Sequence, residues 1–107
     1  MKFKYPKVIL IGETAFHITY DSKNDDASFQ YPYKGKKAYI KFGMQNHKIN
    51  PVGFLHMVIH ELKEIIQIEQ STRIKNYGKE IYEFHYNHNE HQNTCCRLAG
   101  LLTNFIK

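Results

Sequence analysis

The chain contains no tryptophan, only three prolines and two cysteines, and among its fifteen cationic residues only Arg73 and Arg97 are arginines. The cysteines are neighbours, Cys95 and Cys96. A mutual disulfide is therefore sterically awkward and no framework of staples exists, which fits a reducing compartment. Long apolar runs are missing too. Val8 to Ile11 is too short for a signal-peptide core, and nothing approaches the roughly 20 residues that cross a bilayer. A cytoplasmic protein with no membrane partner is expected. The scarcity of arginine bears on the net charge of +5. Its lysines are scattered through the chain, and arginine is the side chain suited to bidentate recognition of phosphate and base. Solvated lysines account for the charge more simply than nucleic acid does.

What is present is the material of one α+β domain spanning residues 1–107. That length supports a single modest core, and eight tyrosines and seven phenylalanines supply its bulk. KVILIG and TAFHITY read as strands joined through Ile11 to Thr14, with Gly12 at the position of a type II′ turn that demands positive φ. The polar stretch DSKNDDAS, Asp21 to Ser28, has loop composition and is expected to bulge from a sheet edge. FQYPYKG and KKAYIKFG form a second strand pair turning near Lys34 to Lys36, with Pro32 favouring an edge position. In AYIKF the period of two sends Tyr39 and Lys41 to one face and Ala38, Ile40 and Phe42 to the other. The expected architecture is a small, mostly antiparallel sheet from about the first 45 residues, packed by two helices.

Asn50 followed by Pro51 marks the first helix start, because Asn caps a free N–H and Pro lacks the donor that would go unpaired there. This helix runs to about Gln70. Its apolar stripe is Leu55, Ile59, Leu62 and Ile66, widened by Val58 and Ile65. A polar turn follows around Lys75 to Lys79, with Gly78 in it, and EIYEFHYNH reads as strand or extended loop. Asn87 with Glu90, or Asn89 with Gln92, offers capping-box chemistry for a last helix reaching Phe105. Its inner face would include Cys95, Leu98, Leu102 and Phe105.

Chemistry is concentrated in the histidines, five of which lie between His56 and His91. His56, His60 and Glu64 are spaced i, i+4, i+8, which lines them up on one helix face more than a right angle from the apolar stripe. That face has two readings: a solvated surface with a weak His60–Glu64 pair, or part of a metal site. The metal reading needs a third ligand, for which His91 is the candidate if it stands one turn before Cys95 on the inward face. His60, Glu64 and His91 would then give two imidazoles, a carboxylate and one position for water, the ligand composition of catalytic zinc. Glu61 would take a proton from that water. His88 and Glu90 compete with His91 for the third position, and Cys95 is more readily a small buried hydrophobe than a ligand. His85 and Tyr86 read as a packed aromatic strand before an oxyanion site. His17 and His47 read as sheet or loop histidines.

On these residues the chain resembles the small zincin-like metallopeptidases of phage and mobile elements, relatives of the family with VLHELLHAI on its active helix. The matching words are VIHELKEII, Val58 to Ile66, preceded by AYIKF and followed by EHQNTCCRLAGLL. The resemblance covers the order of elements over most of the chain, and its sharp part is about nine residues. It implies His60 as first metal ligand and Glu61 as general base, with Glu64 standing where the family expects a second histidine. A residue near the start of the late helix completes the set in such families. The resemblance also implies that AYIKF presents an edge to an extended peptide, with Tyr39 and Lys41 bordering the cleft. The expected function is a zinc-dependent hydrolase of peptide or protein bonds. The other readings are a zincin-like binding module without turnover and a small basic protein that binds nucleic acid or a host factor.

Overall fold

Alternating apolar residues and a glycine turn begin the structure. The computed structural model describes residues 2–47, 50–69, 73–76, 81–84 and 88–107, the side chains of 73–76, 81–84 and 88–90 excepted. Strands β1 (Val8–Ile11) and β2 (Thr14–Asp21) form an antiparallel hairpin, with Ile11 opposite Thr14 across Gly12 and Glu13. Gly12 has φ +61°, as the first central position of a type II′ turn requires. A Cβ there would stand 2.5 Å from Oε1 of Glu69, so the turn also needs the missing side chain.

Strands β3 (Ala27–Gln30) and β4 (Tyr39–Gly43) pair antiparallel, and β4 runs parallel to β2 in a four-stranded sheet of order β1-β2-β4-β3. This α+β arrangement is the expected one, but β4 is interior. AYIKF therefore offers no free edge, and the edge strand on that side is β3. Inserting β4 between β2 and β3 forces their connection across the end of β4, which corrects the expectation that the polar loop bulges from a sheet edge. The crossing is close. The Gly43 N–H donates to the Asp26 carbonyl at 2.8 Å and the Met44 N–H to the Asp21 carbonyl at 2.7 Å. A Cβ on Gly43 would lie 2.4 Å from the carbonyl oxygen of Asn24.

One face of this sheet is covered. Phe16, Ile18, Ala38, Ile40 and Phe42 are buried under helices α1 (Pro51–Glu69) and α2 (His88–Leu102), while Val8, Leu10 and Lys41 are exposed and His17 and Tyr39 half-buried on the other face. Tyr39 and Lys41 thus point away from the helices, so they do not border a cleft beside α1. The alternation in AYIKF is the one expected from its period.

Helix α1 begins as its sequence signals: the Gly53 N–H donates to Oδ1 of Asn50 at 2.9 Å, and the cap removes one unpaired donor. Its rotation differs from expectation. Phe54, Val58, Glu61, Leu62, Ile65 and Ile66 are buried, whereas Leu55 and Ile59 are half-buried. The buried arc is turned by roughly 70° at about 100° per residue. The cause is Phe54, whose ring lies 5.0 Å from that of Phe3 and 6.1 Å from that of Phe42, centroid to centroid. Burying that aromatic outweighs fuller burial of two aliphatic residues.

A two-stranded antiparallel ribbon, β5 (Arg73–Asn76) and β6 (Ile81–Phe84), joins the helices. Lys75 is in β5, not in a turn; Gly78, Lys79, His85, Tyr86 and Asn87 lie outside the described residues, as do the side chains of Tyr82, Phe84, Asn89 and Glu90. Along α2 Thr94 is buried and Leu98 and Leu102 are half-buried, leading to a fully buried Phe105. Cys95 and Cys96 are exposed, which corrects the inward placement of Cys95. Phe105 lies 5.9 Å from Phe42, centroid to centroid. Next to it the Lys4 N–H donates to the Phe105 carbonyl at 2.7 Å, tying residues 2–4 to 105–107. Among the described residues no helix is long and apolar enough to cross a membrane.

Two stability predictions follow from this packing. Phe42→Ala should cost about 3–5 kcal/mol, through lost transfer energy and a cavity, and Asn50→Ala about 1 kcal/mol, both read from urea unfolding. A further prediction concerns Tyr20, whose hydroxyl donates to the Pro6 carbonyl at 2.7 Å. Burial, then the neighbouring Tyr5, push its phenol far above the usual range. A folded-state pKa above the unfolded one gives stabilisation that is whole below about pH 10 and is lost as pH rises beyond it. Wild-type protein should therefore lose more stability between neutral and strongly alkaline pH than Tyr20→Phe does, and parallel curves would refute this.

Candidate metal centre

The rotation of α1 decides where its polar residues stand. Glu61 is 6% exposed at the margin of the core. The Glu64 and His60 side chains are 20% and 57% exposed, and His56 lies wholly on the exposed side. One flank of the helix thus grades from core to water. Around the axis Glu64 falls between Glu61 and His60, because i+3 and i+4 steps advance the angle by about −60° and +40°. Three neighbouring side chains can in this way converge although His60 and Glu61 are adjacent in sequence.

They do converge. His60 Nε2 is 3.1 Å from Glu64 Oε1, and one ligand atom from each of His60, Glu61 and Glu64 lies within 4.8 Å of the others. Two ligands on zinc with bonds of about 2.0–2.1 Å stand about 3.3 Å apart at a tetrahedral angle, so the observed pair fits a shared ion. One imidazole and two carboxylates admit a divalent cation without selecting among zinc and harder ions. The 3.1 Å contact is equally that of an i,i+4 imidazole–carboxylate pair. Glu61 is also partnered within the fold, as a buried carboxylate must be, since an unpaired one is strongly disfavoured.

The third expected ligand is elsewhere. His91 is exposed, with Nε2 3.7 Å from Cys95 Sγ, and it does not join the His60–Glu61–Glu64 group. Its expected inward placement fails because α2 turns Thr94 into the core. The side chains of His88 and Glu90 lie outside the described residues. Glu61, expected only as a proton acceptor, is itself within ligand reach. The helical angle that brings it near Glu64 was present in the sequence as an i, i+3 relation. The His56 ring is tilted by 53° to that of His60, centroids 6.3 Å apart, and His56 does not enter the group.

The remaining described histidines are structural neighbours of other groups. His17 is on β2, and His47 is in the loop before α1, as their sequence contexts suggested. The His47 ring lies 5.0 Å from Phe54, its Nε2 meets the Tyr5 hydroxyl, and its buried Nδ1 has no hydrogen-bond partner among the described residues. It helps line a cleft of about 210 Å³ with Asp25, Asn46, Asn50 and Met57. None of His60, Glu61 or Glu64 lines that cleft, so the cleft and the metal-capable residues are different places. Comparisons of the chain with protein-family models, with curated proteins and with solved structures find no match, and interpretation of the α1 flank rests on its chemistry.

Proposed function

We propose that this chain is a zincin-like hydrolase of the phage and mobile-element type, holding a divalent metal, zinc in the first instance, and cleaving peptide or protein bonds. The observation that carries this reading is the convergence of His60, Glu61 and Glu64 within 4.8 Å inside the word HELKE. His60 and Glu64 would hold the ion, with a further ligand from the start of α2. Bound there, a metal supplies Lewis acidity and a water of lowered pKa. Glu61 accepts the proton of the attacking water as its oxygen bonds to the scissile carbonyl carbon. The same carboxyl returns the proton to the amine as the C–N bond breaks.

The sheet sets the path for an extended substrate. Since β4 is interior, β3 takes its place as the strand to which a peptide adds. The Tyr31 hydroxyl, just beyond β3, donates to the Ile65 carbonyl at 3.2 Å and keeps that edge beside α1. Glu64 in place of a histidine favours a second reading, a module that holds metal without turnover, because a carboxylate donates less strongly to zinc's borderline-soft centre than imidazole.

Elemental analysis of untagged protein dialysed without chelator should find about one divalent ion per chain, the stoichiometry of a mononuclear site. The metal should be lost in His60→Ala and in Glu64→Ala and retained in Glu61→Gln. Cleavage of a peptide library should fall about 10²- to 10⁴-fold in Glu61→Gln. His91→Ala, His88→Ala and Glu90→Ala measured beside them identify the third ligand. Metal without cleavage, with activity appearing in Glu64→His, would establish the non-catalytic reading, and failure to take up added zinc would sink both. In metal-free protein His60→Ala should change stability by less than about 0.5 kcal/mol, since an exposed i,i+4 pair contributes no more. A larger loss in urea unfolding would make the pair structural.

A further inference from the structure

Three of the chain's lysines, Lys34, Lys36 and Lys37, fall within four residues, and the fold presents them together at one turn. The β3–β4 connection closes through paired backbone bonds, Tyr33 N–H to the Lys36 carbonyl at 3.2 Å and Lys36 N–H to the Tyr33 carbonyl at 2.9 Å. Its central residues Lys34 and Gly35 have φ +47° and +79°, the two positive values of a type I′ turn. Asn-Gly suits that turn best, and a long cation at its first position adopts a backbone conformation that asparagine reaches more easily. Lys34, Lys36 and Lys37 are all exposed.

Aromatic surface lies among these charges. Tyr33 is 58% exposed, and the Lys34 Nζ stands 5.2 Å from its ring centroid. A groove of about 620 Å³ beside the hairpin is lined by Tyr33, Lys34, Lys36 and Lys37 together with His17 and Glu13. Tyr39, half-buried on the same open sheet face, is the register partner of His17. Acids collect at the other end of the sheet, where β2 finishes at Asp21 and the loop carries Asp25 and Asp26 against Gly43. The sheet is thus polarised along β4, and Glu13 is the acid on the groove wall.

Cations beside exposed rings recognise a chain that alternates phosphates with flat bases. A positively charged groove with aromatic platforms is the common arrangement for single strands, in which the bases are free to stack. Duplex readout by inserted helices and bidentate arginines has no counterpart here, since among the described residues no arginine lines the groove. An acidic peptide would use the lysines and leave the rings without a role. We infer that the β3–β4 hairpin and the adjoining open sheet face bind single-stranded nucleic acid, with phosphates on Lys34, Lys36 and Lys37 and a base stacked on Tyr33. This site is independent of the α1 flank.

Fluorescence anisotropy with labelled oligo(dT) and oligo(U) tests it. Three phosphate contacts at about 0.7 ion each give a log–log salt slope of about −2. The triple variant Lys34→Asn, Lys36→Gln, Lys37→Gln, in which Asn suits the positive φ, should lose roughly tenfold or more in affinity at low salt. Lys2→Gln, Lys23→Gln, Lys107→Gln removes the same charge elsewhere and should stay within about twofold of wild type. Tyr33→Ala should lose roughly tenfold, and Tyr33→Phe should bind like wild type. His60→Ala should leave binding unchanged, which separates this site from the metal reading. Circular dichroism of each variant confirms that it is folded. Absence of binding at low salt would overturn the inference. So would equal losses in the two triple variants, or a preference for heparin or anionic vesicles that ignores Tyr33→Ala.

Discussion

The rotation of α1 about its own axis is set at its first turn, where the Phe54 ring enters the cluster of Phe3, Phe42 and His47. A buried aromatic of this size removes more apolar area from water than any other side chain on the helix. The helix therefore turns to suit it. Two turns on, the same rotation brings Glu61 to the edge of the core, leaves His60 in water and places Glu64 between them. The geometry of this flank depends on that packing, although Phe54 lies six or more positions from all three residues in sequence.

The features legible in the sequence were those whose causes are local. Gly12 makes its turn because of backbone sterics at one position, Asn50 caps because its own side chain reaches Gly53, and AYIKF alternates because a strand has period two. The features that were not legible have distant causes. Apolar residues on α1 from Phe54 to Ile66 spread over a wide arc, so periodicity establishes a helix but leaves its facing to the partners it meets. The place of β4 between β2 and β3 depends on non-local pairing that no short stretch encodes. In α2 a polar threonine is buried while the more apolar Cys95 is exposed, the reverse of what composition suggests. His91 went outward with that reversal. The His60–Glu64 contact was readable because i, i+4 is a property of one helix alone.

A sheet covered on one face only divides the molecule's possibilities. The covered face spends its area on the core, and the chemistry of α1 appears where that core meets water. The open face has no such duty and retains whatever side chains alternation assigns to it. Alternation gives it His17, Tyr39 and Lys41, while the hairpin at one end adds lysines and the crossing loop at the other adds aspartates. The separation of charge along β4 arises from topology: the loop that carries Asp25 and Asp26 must cross the C-terminal end of β4, and the hairpin must close at its N-terminal end. The cationic patch is local in origin, because the short β3–β4 connection itself holds three lysines within four residues.

Glu64, standing where an HExxH word would have a histidine, gives the α1 flank a distinctive resting state. Two imidazoles separated by one turn have no strong attraction for each other, whereas an imidazole and a carboxylate pair directly, as His60 and Glu64 do at 3.1 Å. A metal held here would have to displace that pair. On an exposed helix face such a pair contributes only about 0.3–0.5 kcal/mol, far less than the 10–16 kcal/mol of apparent free energy with which complete zinc-finger sites bind zinc. The pair is therefore no barrier to a metal. What would decide occupancy is the number of donors that arrive from outside α1, because His60 and Glu64, one turn apart on one helix, approach an ion from a single side and leave the opposite side to water. Burial of Glu61 matters differently: at the core's edge and partnered within the fold, its carboxyl has a position set by the packing of α1 and not by an ion.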